Sequence, residues 1–256
     1  MTVAVGIVYS RGVVIASDSM GSSGTVASRV DKAKAMSNHP IVWAMSGSRY
    51  VIQEASRFVE KYDSDGRSRA TPEKLAHKLR PVISDAYQLP SLEPGGSASD
   101  LHHHSSEALL AGWTRKGPSL VHLPSDLAPV ECSSRTFVAI GAGHEFAAAS
   151  QATLAHYFYE HLSAEQAFLL AYRVVAAVCS VSSWGVAPPI QMASADEHGA
   201  RVISARDVEH VEFGVQRWLQ AETDGFSNVG PRDVAHDLPS LYAAGGEEGT
   251  GTGSPN

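Results

Sequence analysis

Residues 2–18 read T-V-A-V-G-I-V-Y-S-R-G-V-V-I-A-S-D, which spells a strand, a tight turn and a second strand. Thr2 to Tyr9 alternates, with Val3, Val5 and Ile7 on one face, and Arg11-Gly12 supplies the turn. Val13 to Ala16 is a short unbroken apolar run, the pattern of a strand covered on both faces. Further strands are predicted near Arg29–Met36 and over Ile41–Met45, the latter ending at Ser46-Gly47.

Beyond Gly47 the period changes. Val51, Ile52, Ala55, Phe58, Val59 and Tyr62 fall at helical spacing and predict an amphipathic helix over 48–62. Thr71-Pro72 is an N-cap followed by proline at the first helical position, and it opens a second helix that Pro81 should kink. Residues 89–105 read as a Gly/Ser/Pro-rich loop. Strands resume over 108–113, 120–123 and 137–140, and helices follow over 144–161 and 164–179. Ser163 and Gln166 form a capping-box pattern at the start of the second of these. A hairpin over 190–195 and 201–204 and a short helix around 207–221 complete the pattern.

Strands, two helices, strands, two helices, strands: this order predicts an α+β fold. The expected architecture is a four-layer αββα sandwich of two stacked, mostly antiparallel sheets flanked by helices. Residues 1–221 are expected to be a single domain, and 222–256 a C-terminal extension, disordered from about 243 by its Gly/Thr/Ser composition.

The formal charge is −7, which argues against a basic groove for nucleic acid. No apolar run approaches the roughly 20 residues that span a bilayer, and MTVAVGIVYSRG lacks the features of a signal peptide. Cys132 and Cys179 are too few for a disulfide framework or a four-thiolate zinc site. A cytoplasmic protein without nucleic-acid or membrane partners is expected.

Thr2 taken alone is an ordinary residue; the pattern around it makes it the candidate nucleophile. Cells generally remove an initiator methionine that precedes a small residue, and this would leave Thr2 with a free α-amine. One residue then holds both a hydroxyl nucleophile and a base of reference pKa about 7.7–8.0. Around it stand S-R-V-D-K-A-K-A-M and V-W-A-M-S-G-S, and later A-L-L-A-G-W-T-R-K-G-P-S-L-V and F-V-A-I-G-A-G-H-E-F.

Over about residues 2–205 the chain resembles the catalytic β-subunits of the proteasome and related bacterial threonine peptidases, members of the N-terminal nucleophile hydrolases. The resemblance places Thr2 as nucleophile, Asp18 and Lys34 as its polar partners, and Gly47 as oxyanion donor. An ammonium at Lys34 would disfavour protonating the α-amine, and Asp18 would orient it. Lys32 lies on the same predicted strand face and competes for this role. The family's first specificity pocket would be lined near Gly21, Lys32, Met36, Met45, Arg49 and Gln53, with Arg49 and Lys32 favouring acidic or polar side chains. The resemblance further implies a peptide or unfolded-protein substrate, a homo-oligomeric ring, no metal or organic cofactor, and any ATP-driven unfoldase as a separate partner.

The chain departs from the family at two points. Ala142 stands where a G-S-G turn has serine, and Ser180 stands where D-x-x-S-G-G has aspartate, although Ser183 keeps its hydroxyl. These changes leave open a catalytically weak or inactive ring or scaffold subunit. A third reading is an amidohydrolase acting on small amides.

Other candidate sites are weaker. Consecutive His102, His103 and His104 splay apart and lack a Cys or Glu partner at metal-site spacing. His156, Glu160 and His161 do not have the spacing of zinc peptidases. Gly141-x-Gly143 before a helix lacks the rest of a dinucleotide fingerprint, and Cys179 is expected in the core.

Overall fold

A computed structural model describes residues 2–23, 26–66, 70–88, 106–132, 137–157, 162–181 and 185–228. Two five-stranded antiparallel sheets stack face to face. The first orders β10 (Phe137–Ile140), β1 (Ala4–Tyr9), β2 (Gly12–Ser17), β11 (Gln191–Asp196) and β12 (Gly199–Val202). The second orders β5 (Lys34–Ala35), β6 (Ile41–Ser46), β7 (Glu107–Thr114), β8 (Gly117–Leu123) and β9 (Val130–Glu131). A separate ribbon pairs β3 (Met20–Ser23) with β4 (Val26–Arg29).

Small residues of the central strands make up much of the layer between the sheets. Ala4, Ala44, Ala111, Ala193 and Ala195 share one buried cluster with Val13, Ile15, Val42, Leu109 and Leu120. Outside the second sheet lie α1 (Arg49–Asp65) and α2 (Pro72–Gln88), whose Val51, Ala55, Val59, Leu75, Leu79 and Ile83 pack on Ile41, Trp43 and Leu110. Outside the first sheet lie α3 (His144–Thr153) and α4 (Ala164–Val181), and α4 packs on β1 and β2 through a face containing Leu170, Val174 and Val178. The αββα sandwich follows.

Local signals account for most helix ends. The N–H of Lys74 donates to Thr71 Oγ1 at 3.3 Å. Ser163 and Gln166 exchange reciprocal bonds of 2.9 and 3.2 Å, a capping box worth about 1 kcal/mol by its serine. α2 continues as one helix past Pro81, and Pro81 and His77 both lie on its exposed side.

Other expectations need correcting. The strand predicted over 29–36 is two short pieces, β4 and β5, and the residues between them are held by the Ser19 carbonyl and the Gln191 side chain. α3 stops at Thr153, where the N–H of Leu154 is shared between the carbonyls of Ser150 and Gln151, and a 3₁₀ turn over Ala155–Tyr157 follows. α4 is long and apolar enough to cross a membrane, against the sequence expectation, but its buried face serves as the outer cover of a sheet.

The final helix α5 (Ala205–Asn228) is longer than predicted, its last turns tied by Gln220 to Asp224 and by Thr223 and Ser227 to carbonyls four residues back. Compact units span Met1–Val215 and Gln216–Asn256, and of the latter only the continuation of α5 is described. The loop predicted over 89–105, with its three histidines, lies outside the described residues, as do Glu160, His161, Ser183 and the tail from 229.

Candidate active site

Thr2 sits at the entry to β1, 7% exposed, with its carbonyl accepting from Gly143 N–H at 3.2 Å. The next residue is pinned by Asp18 at the end of β2. Val3 N–H donates to Asp18 Oδ1 at 3.0 Å, and Asp18 N–H returns a bond to the Val3 carbonyl at 3.2 Å. Met20 N–H donates to Asp18 Oδ2 at 3.1 Å.

The carboxylate's charge partner is Lys32. Its ammonium lies 2.8 and 2.9 Å from the two oxygens, with Asp18 fully buried and the lysine side chain 7% exposed. This corrects the expectation that Lys34 would pair with Asp18. Burial pushes the Lys32 ammonium below the usual lysine value, with Asp18 acting the other way. The main chain around Lys32 is set by Gln191 of β11: Lys32 N–H donates to its Oε1 at 2.7 Å, while its Nε2 donates to Val30 O and Asp31 Oδ1. That clamp breaks the strand and aims Lys32 at Asp18.

Lys34 points elsewhere. Paired with Trp43 across β5 and β6, it places its ammonium 4.9 Å from the Trp43 ring centroid and donates to Ser56 Oγ at 3.1 Å.

A cleft of about 630 Å³ brings Thr2, Lys32, Lys34 and Gly47 together. Gly47 has φ +121°, where a side chain is strained, and a Cβ there would lie 2.2 Å from Ser106 Oγ. Gly21, Met45, Arg49 and Gln53 also line the cleft, while Met36 belongs instead to the core beneath α1. Ala142 lines the cleft without a hydroxyl to offer. Ser180 is exposed on α4 and donates to Ala177 O at 2.8 Å, within its own helix. Among the described residues no group of three His, Cys, Asp or Glu could hold a metal.

Two acids at this site were not singled out by the sequence pattern, and a thiol beside it lies less deeply than expected. Glu107, at the start of β7, lines the cleft and accepts from Gly141 N–H at 2.8 Å. His122 beside it holds its carboxyl below the usual range, against the effect of burial. Asp31 also lines the cleft. Cys179, expected in the core, is half-buried, and its thiol is pushed up to about 11 by burial and then by Asp18, with Lys32 opposing. At pH 8 its thiolate fraction is then about one in a thousand, against roughly one in ten at the ordinary value. A higher-pKa thiolate is also more nucleophilic, so iodoacetamide should alkylate Cys179 about tenfold more slowly in the native than in the denatured chain. Equal rates by peptide mass spectrometry would contradict that environment.

Residues 2–187 match the family model of the proteasome subunit. The chain belongs to the proteasome subunit family. Solved structures agree on the fold of this family. Anbu, an ancestral β-subunit from Yersinia bercovieri, superposes with a TM-score of 0.70 at 15% identity, over 89% of this chain and 97% of that one. A mutant Anbu from Hyphomicrobium sp. strain MC1 gives a TM-score of 0.65 at 17% identity, over 90% and 98%. No curated protein sequence matches. The proteasome-like, N-terminal nucleophile hydrolase fold thus carries a cleft with a threonine at the first position of the family match.

Proposed function

We propose that this chain is a threonine-type endopeptidase whose nucleophile is Thr2, its α-amine freed by removal of Met1. The observation that carries the reading is the convergence on one cleft of Thr2, Gly47 and Lys32, whose ammonium is held from behind by the buried Asp18. Thr2 Oγ attacks the scissile carbonyl carbon while the α-amine takes the hydroxyl proton. The Lys32 ammonium, fixed by Asp18, disfavours prior protonation of that amine and stabilises the developing alkoxide. Gly47 N–H donates to the tetrahedral oxyanion. Collapse breaks the C–N bond, the leaving amine takes the proton from the α-ammonium, and an ester to Thr2 remains. Water, deprotonated by the same amine, then hydrolyses the ester.

The chain's own groups supply each step, so the reading calls for no cofactor. It includes a cytoplasmic homo-oligomeric ring enclosing the clefts, peptide or unfolded-protein substrates, and a separate ATP-driven unfoldase where substrates are folded. Ser183 keeps the hydroxyl of the family motif and is assigned an assisting role on that ground alone. Ala142 and the outward Ser180 favour a second reading, a ring or scaffold subunit of low or no activity.

The cleft's basic groups suggest the substrate side chain. Lys32 is engaged by Asp18, so the acid-binding role expected of it passes to Lys34, with Arg49 at the start of α1; Gly21 and Met45 would shape the same subsite. Fluorogenic peptides with Glu or Asp before the scissile bond should be cleaved about tenfold faster, in kcat/KM, than Leu or Arg analogues, the ratio that ~1.4 kcal/mol gives. Lys34→Met should bring the ratio near one. Equal cleavage of all three by the wild type would remove the acidic preference, and cleavage of none would favour the scaffold reading.

A further inference from the structure

The two turns that meet at the cleft belong to different sheets, and consecutive residues hold both. Gly47-Ser48 follows β6 of the second sheet; Gly141-Ala142-Gly143 follows β10 of the first. Ser106 is fully buried, and its Oγ accepts from Ser48 N–H at 3.3 Å, while its own N–H donates to Tyr87 Oη. Gly47 rests directly on Ser106. Glu107 pairs with Ser46 in the ladder and reaches the other sheet, where Oε2 accepts from Gly141 N–H at 2.8 Å. Its second oxygen lies 3.6 Å from His122 Nε2, an electrostatic contact longer than a hydrogen bond.

Gly141 is where Thr2 rests. It has φ +85°, and a Cβ there would lie 2.4 Å from the Thr2 carbonyl oxygen. Its own carbonyl accepts from His144 N–H and lies 2.9 Å from His144 Nδ1, which makes Nδ1 the protonated nitrogen. A displacement of Gly141 is therefore transmitted to Thr2, and one of Ser106 to Gly47. A buried serine hydroxyl and a cleft-lining carboxylate thus stand together at the head of a largely apolar strand.

We propose that Ser106–Glu107 is the positioning element of the site, setting the distance between the Thr2 turn and the Gly47 turn. The catalytic consequence rests on the peptidase reading above; the structural one does not. In this role Glu107 stabilises the turn that bears Thr2, on the side where Ala142 offers no hydroxyl.

The test measures amide hydrogen exchange and labelling by a peptide epoxyketone in the full chain and its Glu107→Ala and Glu107→Gln variants. Glu107→Ala should speed exchange at 141–143 at least about tenfold while β1 and β6 stay protected. It should also lower the maximal labelling rate of Thr2 about tenfold at an unchanged half-saturating concentration. Glu107→Gln, whose amide oxygen still accepts from Gly141, should recover most of both. Unchanged exchange at 141–143, or loosening spread over the whole chain, overturns the proposal, as does a change confined to half-saturation. If the wild type itself is not labelled, the peptidase reading fails separately, and exchange at 141–143 alone decides whether Glu107 positions the turn.

Discussion

Thr2→Ala is expected to abolish hydrolysis and epoxyketone labelling, a loss of at least ~10³-fold, while the protein stays folded. The substitution removes a hydroxyl and a methyl at the entry to β1 and leaves every main-chain bond of that entry in place: Gly143 to the Thr2 carbonyl, and Val3 to and from Asp18. A stability change of about 1 kcal/mol is expected, readable as a small shift in Tm. Alanine is small, so Met1 removal should proceed as before, and lost activity will not reflect a blocked amine. Thr2→Ser keeps both hydroxyl and amine and should retain measurable labelling. Peptide hydrolysis by Thr2→Ala at near the wild-type rate would show that another residue attacks.

The second large effect separates the two lysines. Lys32→Met should abolish labelling and destabilise the fold by about 3–5 kcal/mol, because it leaves the Asp18 carboxylate fully buried without its counter-charge. Adding Asp18→Asn should recover part of that stability without restoring labelling, since the buried charge is gone and the amide oxygen still accepts from one of the two backbone N–H groups, but no ammonium stands beside the α-amine. That combination separates a chemical role of the pair from a structural one. Among the described residues Lys34→Met breaks the Ser56 bond and the Trp43 contact and leaves the Asp18–Lys32 pair in place, so it should alter which peptides are cleaved while Thr2 still labels. Labelling lost in Lys34→Met and kept in Lys32→Met would return the role to Lys34.

Why the sequence does not show which lysine pairs with Asp18 is a matter of range. The strand–turn–strand of β1 and β2 is local: alternation, a Gly-containing turn and an apolar run each act within a few residues, and all agree. The same holds for Thr71 before α2 and for the Ser163–Gln166 box. Lys32 and Lys34 are two residues apart, so in a continuous strand they face the same way, and no local rule separates them. Their divergence comes from Gln191, 159 residues from Lys32 in the chain, whose side chain replaces ladder bonds between β4 and β5. Met36 is misplaced for the same reason, since its side chain ends in the core rather than the cleft.

Glu107 is a different kind of omission. An acid at the first position of an apolar strand is a faint signal, because surface charges commonly flank strands. Its partner Gly141 lies 34 residues away on the opposite sheet, and only the stacking of the two sheets brings them together. The departures at Ala142 and Ser180, by contrast, are readable from residue type, and the outward hydroxyl of Ser180 agrees with the loss of an inward acid.

The most direct test of the central claim is intact and peptide mass spectrometry of the full chain after treatment with a peptide epoxyketone, which requires both the hydroxyl and the amine of an N-terminal threonine. The account predicts one adduct per chain, on Thr2, with Met1 absent. A processed Thr2 that stays unlabelled would contradict it and support a scaffold subunit, and an unremoved Met1 would mean that Thr2 has no free amine with which to act.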